Sequence, residues 1–157
     1  RRRSARWHGA SQKVGQSATP LFLDRIDIQC EITPVPFKDI SQAAPGEPSA
    51  TIRERVIAAR QIQEQRYKDI KGIHCNAQMT ERMIHQYAEP DADSVEVLRS
   101  AMERLSLSAR AYSRILKVAR TIADLDGSEK VQLPHIAEAI GYRQLDRGDW
   151  AERGMYS

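Results

Sequence analysis

The 157-residue chain is predicted to be mainly α-helical, a helical bundle preceded by one strand. Three observations carry that expectation. Residues 107–127 make one amphipathic segment with both ends marked, Ser108 as a good N-cap and Gly127 as a good C-terminal stop. Further segments of helical period follow one another with short connections, the arrangement of a bundle. Earlier in the chain, Ile26, Ile28, Cys30 and Ile32 alternate with Asp27, Gln29 and Glu31, which is the period of a half-buried strand.

In chain order, residues 1–19 are polar, rich in Ser, Gly and Gln, and without period, so a mobile segment is expected. Arg1, Arg2, Arg3 and Arg6 beside Trp7 could touch phosphates, but polar termini of this composition more commonly touch nothing. Residues 20–37 hold the strand, Leu21 to Ile32, and Pro34 and Pro36 end its pairing. The alternation puts Cys30 on the inner face, which predicts a buried free thiol. Residues 38–50, with Ala43-Ala44-Pro45-Gly46-Glu47-Pro48, read as a linker, and residues 51–147 as the helical domain.

The first helix of that domain is expected to begin at Ser49 or Thr51, the latter offering a capping box with Glu54, and to run to about Lys68. Ile52, Val56, Ala59 and Tyr67 share one of its faces. A loop through Gly72 and Asn76 leads to a short helix from Thr80 to Tyr87, stopped by Pro90. Asp91 or Asp93 caps the next helix, with Val95, Leu98, Met102 and Leu105 on one side. In the Ser108 helix, Tyr112, Ile115, Leu116, Ala119, Ile122 and Ala123 form the apolar face, while Arg110, Arg114 and Lys117 stand in a row opposite. The last helix starts at Pro134, with Ile136, Ala137 and Ile140 inward and Gly141 at its end. Residues 148–157 are expected to be a flexible tail.

Composition excludes several classes of function. The formal net charge of +3 permits phosphate contacts without requiring them. No apolar run is long enough to span a bilayer, and the basic start is not followed by an apolar signal segment, so a cytoplasmic protein without a membrane partner is expected. His8, His74, His85 and His135 are scattered and no Cys-x-x-Cys occurs, so no metal site is expected. No Gly-x-x-x-x-Gly-Lys-Ser/Thr is present, and the eight glycines are too dispersed to cradle a triphosphate. No nucleophile, histidine and carboxylate are set in a context that would orient them.

Several separate words, taken together and in order, give more. They are Leu23-Asp24-Arg25-Ile26-Asp27, Pro34-Val35-Pro36-Phe37, Ile52-Arg53-Glu54-Arg55-Val56-Ile57-Ala58-Ala59-Arg60, Asn76-Ala77-Gln78-Met79, and Leu107-Ser108-Ala109-Arg110-Ala111-Tyr112 continuing to Asp126-Gly127-Ser128-Glu129. With them the chain resembles the magnesium-chelatase-like AAA+ ATPases, in their competence-associated ComM-like branch, over roughly residues 17 to 147. Thr19 stands where that family usually has a glycine before Pro20.

The resemblance implies the C-terminal lid of such an ATPase, the strand being a remnant of the nucleotide-binding core. It implies that Arg25 is the arginine finger and Arg110 the sensor-2 arginine, with Arg114 a weaker nucleotide contact. ATP and Mg2+ would be the cofactors of the intact ATPase, with none held by this chain alone, and hydrolysis by the chain alone is not expected. Its partners would be the rest of the core, the neighbouring subunits of a hexameric ring, and DNA. The alternative is a stand-alone helical module that binds nucleic acid through Arg110, Arg114 and Lys117, or docks a protein through its long first helix. Against nucleic-acid reading, the Ser108 helix carries no Asn or Gln to address base edges.

Overall fold

The structure is a computed structural model that describes residues 25–30, 32, 34–41 and 44–143. Its helices are α1 (Phe37–Ser41), α2 (Ser49–Tyr67), α3 (Glu81–Tyr87), α4 (Ala92–Leu105), α5 (Ala109–Leu125) and α6 (Leu133–Gly141), with one 3-10 turn at Asn76–Gln78 between α2 and α3. The mainly helical class is as predicted. The strand is not found: among the described residues, positions 25–30 and 32 carry no regular pairing. Ile28 and Ile32 are exposed, and so is Cys30, which corrects the expectation of a buried thiol. An alternating pattern specifies a strand only where a neighbouring strand supplies the ladder, and no such neighbour exists among the described residues. The expected segments 1–19 and 148–157 lie outside the described residues.

α1 occupies part of the expected linker, with Asp39 and Ile40 amides donating to the Pro36 carbonyl. α2 starts at Ser49 behind Pro48, so Thr51 lies inside the first turn and forms no capping box with Glu54. Its buried residues are Ala59, Gln63 and Tyr67, one row at four-residue spacing. Ile52 and Val56 are exposed, since among the described residues no helix covers that face of the first half of α2.

The remaining boundaries agree closely with the caps read from sequence. Thr80 accepts from the Met83 amide, Asp91 from the Ser94 amide at 2.9 Å, and Ser108 from the Ala111 amide at 3.1 Å. α5 ends in a paired closure: the Ser128 amide donates to Ala123 and the Gly127 amide to Asp124, with Gly127 at φ +67°. That left-handed position favours glycine. The faces of α4 and α6 are rotated slightly from expectation. α4 buries Ser94, Leu98, Ala101 and Leu105 while Val95 is exposed, and α6 buries Ala139 in place of Ala137.

α5 is the axis of the bundle, packing against α2, α3, α6 and the 3-10 turn, while α4 packs on α6. Ile84, Leu98, Ile115, Leu116 and Ile136 are the large apolar residues at the centre. Beside them is a buried polar network. Asp124 receives a two-pronged Arg66 guanidinium at 2.5 and 2.8 Å, Arg120 at 3.0 and 3.1 Å, and the Asn76 amide at 2.8 Å. Asn76 is fully satisfied: its oxygen accepts from the Tyr67 hydroxyl at 2.7 Å and from Arg66, and its nitrogen donates to Asp124 and Thr121. Arg120 also donates to the carbonyls of Tyr87, Ser128 and Glu129, so one side chain ties α5 to the end of α3 and to the loop before α6. His135 closes the same loop, accepting from the Gln132 amide at Nδ1 and facing Asp126 through Nε2 at 3.3 Å.

Burial opposes ionisation of Asp124, but the Arg66 and Asn76 hydrogen bonds and the charge of Arg120 hold its carboxyl below the usual range. A depressed carboxylate stabilises the fold fully above the unfolded value of about 3.9 and loses that contribution as pH falls through the lower folded value. Asp124→Asn should therefore cost about 3–5 kcal/mol at neutral pH, because two guanidinium groups lose their counter-charge. Its stability should also fall less steeply in acid than that of the parent, as followed by denaturant titration across pH. Leu116→Ala should cost about 2–5 kcal/mol and Arg110→Ala under about 0.5 kcal/mol, the same titration at fixed pH separating buried from exposed faces of α5.

Candidate functional site

Of the two arginines singled out from the sequence, Arg110 lies in the first turn of α5, and the main chain of Arg25 is bound by Arg114 one turn further along that helix. Ser108 caps this helix and turns Arg110 outward in its first turn, which holds no acidic residue. A cation beside the positive end of a helix dipole is locally unfavourable by about 0.3–1 kcal/mol, and the same place favours an anion. Arg110 is exposed, and among the described residues its side chain makes no hydrogen bond or ion pair.

One turn further along, Arg114 reaches away from α5 to the segment before the bundle. Its Nη1 donates to the Arg25 carbonyl at 2.8 Å and to the Asp27 carboxylate. From the end of α6, buried Arg143 donates to the Ile26 carbonyl, and the Gln29 amide donates to the Tyr142 carbonyl at 3.0 Å. Residues 25–29 are therefore held by their main chain against α5 and the end of α6. The Arg25 side chain is exposed, with no hydrogen bond or ion pair among the described residues. Since Arg110 and Arg114 are neighbours on one helix face, with Cβ atoms about 5–6 Å apart, the Arg25 main chain lies at the same end of α5 as Arg110.

Lys117 completes the row. Its ammonium donates to the Ala77 carbonyl at 3.0 Å, joining α5 to the 3-10 turn. Arg114 and Lys117 are both partly buried and bound to main-chain oxygens, unlike exposed Arg110. A cleft of about 920 Å³ runs along this side of α5, with Arg110, Arg114 and Lys117 on its wall beside Glu81 and Ser113. Ser113 donates to Glu81 at 2.9 Å, and Asp27 and Glu138 also line the cleft, so its wall carries three carboxylates beside its three cations.

Among the described residues, no group of three or more His, Cys, Asp or Glu side chains could hold a metal ion. Nor is any described helix long and apolar enough to cross a membrane. The arrangement offers two unoccupied planar cations, one on a helix and one on a pinned loop, a donor set suited to phosphate oxygens.

Arg143 was not singled out from sequence, since it follows the last predicted helix and the Ile26 carbonyl that it binds is 117 residues away along the chain. Arg120 and Asp124 did leave a signal: they continue the row of Leu116 at four-residue spacing, putting opposite charges in line with a buried leucine.

Residues 46–143 match the family described as magnesium chelatase, subunit ChlI C-terminal. The chain is 42% identical over 127 residues to the uncharacterized protein YifB of Salmonella typhimurium, an alignment covering 80% of this chain and 24% of that protein. It is 40% identical over 127 residues to the competence protein ComM of Haemophilus influenzae, with the same two coverages. An uncharacterized protein of Mycobacterium tuberculosis is 32% identical over 131 residues, or 83% of this chain and 25% of that protein. The chain thus spans about a quarter of the length of the curated relatives it matches.

Proposed function

The chain belongs to the family of the magnesium chelatase ChlI C-terminal domain, in its ComM-like branch, and on that premise we propose that it is the lid of a ring-forming AAA+ ATPase that works on DNA. In this reading Arg25 is an arginine finger and Arg110 a sensor-2 arginine, and both serve ATP hydrolysis in the intact protein. The observation that carries it is that the main chain of Arg25 is bound by Arg114, one helical turn from Arg110, while among the described residues neither the Arg25 nor the Arg110 side chain has a hydrogen-bond or ion-pair partner.

Phosphoryl transfer spreads negative charge over the oxygens of the transferred group, so catalysis consists largely of positioning and electrostatic stabilisation. A guanidinium supplies a permanent charge and a rigid fork of donors to those oxygens, which an ammonium on a flexible stem does less well. Arg25 acts on the nucleotide of the neighbouring subunit, where its contact strengthens as charge develops. Arg110 acts from the lid and touches ground-state phosphates as well, aided by the α5 N-terminus. Magnesium neutralises phosphate charge when it accompanies the nucleotide, but the described residues hold no set of ligands for it, so this chain's own contribution is the two arginines.

The exposed apolar residues Phe37 and Ile40 on α1 and Ile52, Val56 and Ile57 on α2 support contact with the remainder of the core and with neighbouring subunits. A stand-alone nucleic-acid module is less well supported: of its three basic residues, Arg114 and Lys117 already serve carbonyls within the chain. The cytoplasm is the compartment this reading requires.

In the intact ATPase, Arg25→Ala should lower hydrolysis by about 10³–10⁵-fold with nucleotide affinity nearly unchanged and ring assembly retained. Mixing those subunits with subunits lacking a working phosphate loop should restore part of the rate, since a finger from one then meets an intact site on the other. Hydrolysis at the parent rate by assembled Arg25→Ala rings would falsify the finger assignment.

A further inference from the structure

We propose that Arg114 is a positioning residue for Arg25, and that with Arg143 it makes the tip of the loop and the lid one mechanical unit. This rests on the reading of Arg25 as the finger. The donors involved come from two helical ends, and their acceptors are successive carbonyls. Arg114 on α5 takes the Arg25 carbonyl, and Arg143 beyond α6 takes the Ile26 carbonyl. Asp27 then closes on Arg114 through its carboxylate, and the Gln29 amide closes on Tyr142. Four polar contacts within five residues fix the main chain of a segment that has no regular secondary structure among its described residues.

The consequence is specific. Arg114 lines the cleft with Arg110, and its position in the basic row invites the reading of a second phosphate ligand. The geometry assigns it otherwise, because its Nη1 is occupied by the chain's own carbonyl and carboxylate. A charge-assisted hydrogen bond to a main-chain carbonyl holds the backbone while leaving the next side chain outside the contact, so the Arg25 guanidinium is presented and its base is not free to swing. Any rotation of α5 carries Arg25 with Arg110. A lid that moves on nucleotide binding in one subunit thereby moves the finger directed at the next.

The test is placed on Arg114, because Arg143 is buried and its truncation risks unfolding the bundle. Two readouts are needed. In the 157-residue chain, amide exchange at Gln29 reports docking of the segment directly. Arg114→Ala should lower its protection by about tenfold or more while amides in the middle of α5 keep theirs. In the intact ATPase, Arg114→Ala should lower kcat for ATP hydrolysis by a large factor with KM for ATP within about twofold of the parent. Arg114→Lys, which keeps one donor for the carbonyl, should recover part of the rate.

The Arg25→Ala, Arg114→Ala double variant should be no slower than Arg25→Ala alone, since a positioning residue has nothing left to position. A raised KM with kcat unchanged would make Arg114 a ground-state phosphate ligand and overturn the proposal. Parent-level kcat with Gln29 released, or multiplicative losses in the double variant, would overturn it equally. Unchanged Gln29 protection would show that Arg114 does not hold the segment. If Arg25→Ala hydrolyses ATP at the parent rate, the finger reading falls and takes the catalytic role of the clamp with it, a result that Gln29 exchange tells apart from failure of the clamp itself.

Discussion

Asp124 places a negative charge in the interior of a small helical bundle, and the surrounding architecture is arranged to keep it there. Three donors converge on its two oxygens from three parts of the chain: Arg66 near the end of α2, Asn76 in the 3-10 turn, and Arg120 one turn back on α5. An isolated carboxylate in that place would be intolerable, and without it buried Arg120 and partly buried Arg66 would be left as two unpaired guanidinium groups. The consequence is interdependence. α2 is docked through Arg66 and Tyr67, the turn after it through Asn76, and the loop before α6 through Arg120, so none of these pieces can shift without leaving a charge or an amide unpaired.

Such a network specifies geometry more than it adds stability. Apolar burial around Leu98, Ile115, Leu116 and Ile136 supplies the main driving force, which is indifferent to small slides of one helix along another. The directional bonds of Asp124 and Asn76 are not indifferent, since an amide whose two lone pairs and two hydrogens are all engaged has one acceptable orientation. The bundle therefore holds α5 at a defined rotation about its own axis. That rotation sends Leu116 inward and Arg110 outward, and it aims Arg114 at residues 25–27.

The same device recurs between α5, α6 and residues 25–29 in a lighter form. Arg66 and Arg120 use guanidinium groups to join helices to turns in the interior, while Arg114 and Arg143 join helices to a loop near the surface. The difference lies in exposure: Arg114 and its partner Asp27 are accessible to water, so their ion pair is worth less and is screened by salt. Among the described residues Arg25 and Arg110 are left over from all this pairing, both exposed and without a side-chain partner.

Helix positions were readable in the sequence because their signals are local. Thr80, Asp91 and Ser108 cap where they were expected to, Gly127 closes α5, and the apolar period of α5 identifies its buried side. The motif words were equally local and pointed to the ComM-like family, with Arg25 and Arg110 as the residues of interest. The strand expected at 21–32 is not found among the described residues for the complementary reason: alternation describes a residue's two faces, but only a neighbouring strand can turn that into a ladder, and Ile28, Cys30 and Ile32 face solvent. Ala59, Gln63 and Tyr67, rather than Ile52 and Val56, became the inner row of α2 because α5 covers only that part of it. Which cations are free and which are bound was decided by the tertiary structure alone. Arg110, Arg114 and Lys117 are equivalent on a helical wheel, and they differ only because carbonyls of residues 25 and 77 are brought within reach of two of them.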